Sequence, residues 1–538
     1  MHLNRNLFSL QNANVWTNDC THVFVGTNGN NDLNSAKLSK RFQYIGCGQC
    51  GSKMEEVTTC IPVNPFISML MLMLISFVST VFCGHLGKTE LAAVTLATSV
   101  VNITGISIGT GLASAFDTVI SQIFGSNNLK YVGVIVQRGI LILLLSCFPC
   151  WALLINTEPI LLAIHQSPEV SRLTQLYVRI FMPALPTVFF RQGIIWPQVI
   201  TGVVGNLLNA ITNYTFLYQL NLGVAGSAAA NTISQYTLAI VIYVYIIWRG
   251  LHKATWDGWS RDCLQEWGPF LYLAVPSMLM MCLEWWTYEI GVFMAGLIGE
   301  AELGAMSALY QVSSITFMFP LGFAVAANVR MGNALGAGNT EQAKLSGKVS
   351  FICAITVSLV IAIILGLTKD VLGYIFTQDH KAFRVFLQVL MGGVVRGAGK
   401  QMVGAVSYLV GYYIIGLPIA VSLMFPFKMC ILGKALDIWR LILHSVFLIV
   451  YMCKLNWKQT TYEVSRPSSN LCSNQTLWTN ELSPVGVVLS VRHLVLRRGL
   501  AVVIMLLILA IGIVTNQLLT VPLPTMPAPQ AHITPSIP

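Results

Sequence analysis

Long apolar stretches, broken by short polar or charged segments, occupy most of this chain. A helix crossing a bilayer needs about 20 consecutive, mostly apolar residues. The pattern predicts spans at Ile61–Phe82, Leu91–Phe116, Gly139–Ile155, Val178–Phe190, Ile194–Leu217 and Val224–Trp248. A seventh runs from Pro269 to Gly299. The second half continues with Leu303–Val329, Val349–Leu367, Phe383–Val395, Val403–Phe425 and Leu436–Cys453, and Leu500–Leu519 makes a thirteenth. The fourth is short: residues 178–190 give a helix of about 20 Å against a hydrocarbon core of about 30 Å. Residues 1–60 are polar and rich in Asn, Gly and Thr, and 521–538 are Pro-rich, so both read as tails without a fold of their own.

The seventh stretch breaks the apolar rule most informatively, because it carries Glu284 and Glu289 inside its flanks. A carboxylate at membrane depth costs roughly 3 kcal/mol on insertion scales, so such residues face a cavity or a partner and mark an ion or substrate path. Ser277, Met281, Glu284, Tyr288 and Gly291 share one helical face. Glu289 lies about 140° away from Glu284, so the two form no dyad on one stripe. Trp285, Trp286 and Tyr288 are candidate faces for a cationic or aromatic substrate, by attraction of a cation to an aromatic ring. They also suit ordinary packing.

Composition agrees with a polytopic membrane protein. The 538 residues are 55% hydrophobic and 10% charged, against about 25% charged in soluble domains. Mean hydropathy is +0.69. The net charge of +10 does not read as nucleic-acid binding, because Lys and Arg are scattered through the breaks between spans. Most fall after even-numbered spans (Lys130 and Arg138, Arg191, Arg249 and Lys253, Lys344 and Lys348, Arg396 and Lys400, Arg497 and Arg498), with Lys369, Lys381 and Arg384 around the tenth span as exceptions. The positive-inside rule then puts the N-terminus in the cytosol and the C-terminal tail outside. The 13 cysteines are scattered, many within spans, and read as small buried side chains. Cys47 and Cys50 form one CxxC, with Cys20 and Cys60 the nearest further thiols. No metal or cofactor follows from that. No nucleophile triad or Walker motif appears, so an enzyme is not expected.

An internal repeat is visible. Gly87-Lys-Thr-Glu90-Leu91-Ala-Ala93 matches Gly299-Glu-Ala-Glu302-Leu303-Gly-Ala305, and the Gly111/Gly125 pair recurs as Gly322/Gly336. Two homologous six-span lobes with an even span count are parallel repeats about an axis along the membrane normal, with the site between them. The expected fold is an all-α polytopic membrane protein of two six-helix lobes in tandem plus a thirteenth C-terminal transmembrane helix. Its parts are a cytosolic tail (1–60), a first lobe (61–250), an inter-lobe loop (251–266), a second lobe (267–453), a cytosolic linker (454–498), the last helix (499–520) and an extracellular tail (521–538).

FCGHLGKTELAAVTLA (82–97), GLASAFDTVISQIFGSNNLKYVGVIVQRG (111–139), AVPSMLMMCLEWWTYEIG (274–291), GFAVAANVRMGNALGAGNTEQAK (322–344) and VLRRGL (495–500) resemble the vertebrate multidrug and toxin extrusion (MATE) transporters. The resemblance covers most of 66–426 and 490–520. It implies export of organic cations in exchange for protons, by alternating access of two lobes around a central cavity. It further implies a monomeric transport unit in the lipid bilayer of the plasma membrane, apical in epithelia, with no cofactor. Carried over by residue, Glu284 and Glu289 match the seventh-span acids, Asn102 a cavity asparagine, and Cys83 and Cys147 thiols near the transport path. For Asn102 and the two thiols, packing or interhelical hydrogen bonding is the competing account.

Departures from the family pattern stand beside the matches. A Tyr-Glu pair of the eighth span reads Tyr310-Gln311 here, and Gln cannot carry a proton. The tenth span lacks a segment that includes a family carboxylate, and the fourth is clipped at Arg191. A second reading is therefore a transport-defective, splice-altered or truncated product of the same family. A third, a lipid-linked oligosaccharide flippase, calls for a cationic cavity, whereas these spans offer acids.

Overall fold

The structure, a computed structural model, describes residues 63–126, 128–190, 196–250, 253, 255–256, 258–296, 321–367, 392–424, 446–473 and 491–520. Gln311, the CxxC, both tails and most of the expected eighth and tenth spans lie outside the described residues. Among the described residues every regular element is a helix. Six helices among the described residues are long and apolar enough to cross a membrane: Thr89–Gly125, Lys130–Ile155, Gly223–Arg249, Trp267–Ile290, Gln401–Ile419 and Arg492–Leu519.

In the first lobe α1 spans Val63–Gly84. Then α2 (Lys88–Val101) runs through a π turn at Asn102–Ile106 into α3 (Ser107–Gly125) without a break. The expected second span stopped at Phe116 because Asp117 interrupts the apolar run; the helix itself continues eight residues beyond Asp117 to Gly125. Next come α4 (Leu129–Ile155), capped by the Asn128 side chain accepting from Tyr131 N at 3.4 Å, and α5 (Thr157–Ala163). An asparagine cap satisfies one orphan donor of the first turn.

The short fourth span needs correction. Ser167 caps α6 (Pro168–Phe181), a 3₁₀ turn follows at Met182–Ala184, and α7 (Leu185–Phe190) continues the track. This track, 168–190, is about 34 Å long at helical rise, enough to match the hydrocarbon core. Its first turns were missed because they are amphipathic: Arg172 and Arg179 are exposed, while Thr174, Gln175 and Tyr177 are buried. Gln175 Nε2 donates to Leu154 O at 3.1 Å, and Asn231 Nδ2 donates to the Tyr177 hydroxyl at 2.9 Å. The lobe ends with α8 (Trp196–Tyr214) and α9 (Gly223–Arg249), which is stopped by Gly250 at φ 62°. A left-handed glycine terminates a helix at no steric cost.

The second lobe opens with α10 (Trp267–Gly296). Residues 321–336 form α11 and Thr340–Leu367 form α12. Residues 392–397 form α13, Gln401–Tyr408 form α14, and a π segment (Leu409–Gly416) leads into α15 (Leu417–Met424). Residues 446–454 form α16. Within the stretch expected to be linker, Trp457–Ser473 folds as α17. The last helix, α18 (Val491–Thr520), begins before the apolar run does.

Two hydrophobic clusters divide along the same lines. One gathers Val94, Leu112, Leu143, Tyr177, Phe181 and Val224. The other gathers Met331, Leu335, Val395, Tyr408, Tyr412 and Leu448. Helix α10 serves both, giving Trp267, Phe270 and Ala274 to the first and Met280 to the second.

Where the lobes meet, α3 crosses α11 reciprocally. A Cβ on Gly125 would strike the Asn333 carbonyl, and one on Gly336 would strike the Gln122 carbonyl. Gly125 and Gly336 are 211 residues apart, as are Gln122 and Asn333. Symmetry-related repeats produce this exchange of partners, so the repeat seen in sequence is a spatial one. Thr118 Oγ1 adds a hydrogen bond to Asn328 Oδ1 at 3.0 Å.

The last helix returns to the first lobe and lies along α4. Asn156 Nδ2 donates to Gly512 O at 2.8 Å and Asn516 Nδ2 to Ile155 O at 2.9 Å, while Gly512 rests on Ala152. At the other end Arg498 stacks 4.1 Å over the Trp267 ring and donates to Leu264 O at 2.9 Å. Small residues and asparagines are the usual means of joining helices in lipid.

Two of the basic residues assigned to loops are instead buried in helices. Arg138 lies in α4, 4% exposed, with Nη1 and Nη2 donating to the Glu266 and Asp262 carbonyls at 3.4 Å each. Arg396 lies in α13 and is 5% exposed. Charge counting along a sequence cannot separate a topology signal from a buried cation that carbonyls satisfy.

Candidate transport site

Helix α10 forms because its 30 residues are almost wholly apolar; Pro269 sits in its first turn, and Pro276 lies further inside it. Packed along α3 on one side and α14 on the other, it presents different chemistry to each. Ser277, on the Glu284 stripe, shares a hydrogen bond with Ser114 of the first lobe at 2.6 Å. From the opposite face Cys282 Sγ reaches Ser107 Oγ at 3.6 Å, and Trp286 Nε1 donates to Ile103 O at 2.9 Å and Ser107 Oγ at 3.2 Å. One step further along this face Asn102 Nδ2 donates to Glu289 Oε1 at 3.4 Å. The π turn that begins at Asn102 displaces the backbone at this contact; such bulges concentrate at functional sites.

Toward the second lobe stand Glu284 and its surroundings. Glu284 is 1% exposed, and its Oε1 has no hydrogen-bond partner among the described residues. Arg396 lies within electrostatic reach of it. Tyr408 and Tyr412 stack at 5.5 Å on the α14 side, both buried, and Tyr413 donates to Leu283 O at 3.4 Å. A buried carboxylate with a spare oxygen can hold a single positive charge and release it.

Of the residues singled out in sequence, Glu284, Glu289, Asn102, Trp285, Trp286 and Tyr288 therefore cluster on and against α10. Trp286 is tied to the first lobe by its indole N–H. Trp285 Nε1 has no hydrogen-bond partner among the described residues. Cys83 and Cys147 are 0% and 1% exposed in the first-lobe core, away from any open surface. Arg396, Tyr408 and Tyr412 were not anticipated, and neither was Asp117. The signal for Asp117 was available: TVISQIF (118–124) resumes the apolar pattern directly after it. Among the described residues no cluster of His, Cys, Asp and Glu could hold a metal ion.

An all-helical membrane protein of two internally related lobes, joined through a helix that bears buried carboxylates, has the construction of a secondary transporter. Comparison with known proteins makes this specific. The family model MatE matches residues 65–215 and 276–422. Multidrug and toxin extrusion protein 1 of Danio rerio is 53% identical over 570 residues, covering 91% of this chain and 95% of that protein. The Homo sapiens protein of the same name is 52% identical over 423 residues, covering 73% of this chain and 74% of its own length. Among solved structures, the eukaryotic MATE transporter AtDTX14 superposes with a TM-score of 0.67 at 27% identity, over 80% of this chain and 99% of that one. A MATE structure in complex with MaD3S, at 16% identity and a TM-score of 0.64, supports the fold alone. The chain belongs to the MATE family of multidrug transporters, as a multi-pass membrane protein.

Proposed function

We propose that this chain exports organic cations in exchange for protons by alternating access, from the plasma membrane, with its N-terminus cytosolic. The burial of Glu284 at the junction of the two lobes, with a carboxylate oxygen to spare, carries the proposal. One carboxylate can neutralise either a proton or an organic cation, and competition for that site couples the two flows in opposite directions. Glu289, held by Asn102 on the first-lobe side, is the secondary acid. Trp285, Tyr288 and the Tyr408–Tyr412 pair supply rings suited to a cation.

The test is uptake of labelled tetraethylammonium into cells expressing the full chain under an outward proton gradient. Uptake that collapses with the gradient and with Glu284→Gln is the expected result. Equal uptake by wild type and Glu284→Gln at matched surface expression would sink the assignment. The second reading, a transport-defective product, draws on a specific observation. The Danio rerio alignment runs over 570 positions while using 91% of a 538-residue chain, so parts of that relative have no counterpart here. Surface expression without any gradient-driven uptake would select it.

A further inference from the structure

We infer that Asp117 is a second proton-binding site, placed on the seam where the two lobes close. Its role in the transport cycle rests on the antiport reading above, while its proton binding does not. Asp117 shares the α3 face of Ser114 and Ser121, spaced three before and four after it in helical register. Ser114 is bonded to Ser277 of α10 at 2.6 Å, and Ser121 lies against Gly332 of α11. The carboxylate therefore flanks the point where α3, α10 and α11 come together. Between it and the helix end α3 and α11 approach closely, at Thr118–Asn328, Gly125–Asn333 and Gly336–Gln122.

Asp117 is partly buried and has no hydrogen bond or ion pair among the described residues. The charged groups on the elements around it are engaged elsewhere. Arg138 of α4 is turned to Glu266 and the Asp262 carbonyl, and Lys130 at the start of α4 is exposed. Arg330 of α11 lies in reach of Cys353 on α12, and Lys458 of α17 in reach of Glu341. Glu463 of α17 pairs with Lys400 at 2.8 Å. On α10, Glu284 faces the second lobe and Glu289 is held by Asn102. A charged side chain with no donor opposite it must be hydrated or must shed its charge. In this proposal the closed seam withholds water from Asp117, which then takes a proton, and opening lets it release one to the water that enters. This ties proton movement to the motion itself, separately from the competition at Glu284.

The test has two readouts on the full chain in native membranes. The first is dicyclohexylcarbodiimide, which reacts with protonated carboxyls in apolar surroundings, followed by mass spectrometry of the peptide holding Asp117. Labelling at Asp117 that declines as pH rises is expected whether or not the chain transports; absence of label at every pH overturns the inference. The second is exchange. Asp117→Asn should slow proton-driven cation exchange at least tenfold and leave equilibrium binding of labelled tetraethylammonium within twofold, and Asp117→Glu should restore the rate. If wild type exchanges and Asp117→Asn matches it across pH, the inference fails while the role of Glu284 stands. If wild type does not exchange at all, the antiport reading fails and the labelling result still decides whether Asp117 binds a proton.

Discussion

Glu284 and Glu289 lie five residues apart on one helix, yet they serve different lobes: Glu289 accepts from Asn102 on the first-lobe side, while Glu284 lies in electrostatic reach of Arg396 on the second. The two acids are therefore separable by mutation. Glu284→Gln removes the charge for which, in the proposed antiport, a proton and an organic cation compete. The expected loss of exchange is about 100-fold or more, the scale of deleting a proton-transferring group. Glu289→Gln keeps a carbonyl oxygen for Asn102, and less than about a tenfold loss is expected, under 1.4 kcal/mol. Glu289→Leu should do worse than Gln, because a buried donor left unmade costs about 1–3 kcal/mol. Initial rates of tetraethylammonium exchange at matched expression rank the three. Equal loss for Glu284→Gln and Glu289→Gln would mean that the acids act as one site.

The glycine exchange across the seam makes a second prediction. A methyl group at Gly336 meets the backbone carbonyl of Gln122, which cannot swing aside as a side chain can. Overpacking of this kind costs about 1–3 kcal/mol, and here the cost falls on the closed crossing of α3 and α11. Gly336→Ala should shift the protein toward the state open at that end. A single cysteine introduced at Ser121 should then react faster with a membrane-impermeant maleimide added from that side. Unchanged reactivity would show that the seam tolerates the methyl group and does not set the closed state.

How far the sequence reached is clearest at these same residues. The helices, the two lobes and the acid-bearing central helix were legible because each rests on apolar periodicity or on a repeat of glycines, both written directly in residue type. Three things were hidden for identifiable reasons. The polar first turns of α6 mask a helix whose inner face is satisfied by Leu154 O and by Asn231, partners distant in sequence. Arg396 looks like a loop cation until α13 buries it. Asp117 ends an apolar run on paper, but backbone hydrogen bonds carry the helix past it regardless of what its side chain prefers.

The docking of α18 on α4 yields a prediction about proximity. Gly512 and Ala152 touch, and one turn further along each helix Asn156 and Asn516 donate across the pair. Cysteines introduced at Ala152 and Gly512 in a chain cleaved within 474–490 should therefore hold the two fragments together under oxidation. The same pair placed at Ala152 and Leu507, which is exposed, should not. Asn156→Ala should weaken the docking by about 0.6 kcal/mol, the average measured for hydrogen bonds between membrane helices, and by no more than about 1.7. Fragments that separate on a non-reducing gel with the first pair would place α18 elsewhere.

Helix α17 straps the second lobe through Lys400–Glu463 at 2.8 Å and Thr340–Thr461 at 2.9 Å. The hydrogen bond from Lys400 holds the Glu463 carboxyl below the usual glutamate range. A carboxyl lowered in the folded state stabilises at every pH above its unfolded value, near 4.3. That contribution is lost only as pH falls through the lower, folded value. The strap should therefore be insensitive to pH between about 6 and 8 and should loosen only in strong acid. Both partners are partly exposed, so the pair contributes no more than about 1 kcal/mol and weakens in salt. Hydrogen exchange of residues 457–473 at low and high salt, in wild type and in Glu463→Gln, measures this. Wild type in high salt should approach the mutant in low salt. A mutant that releases the whole helix would instead make the ion pair, rather than the contacts of the buried Thr460 and Thr461, the principal hold on the strap.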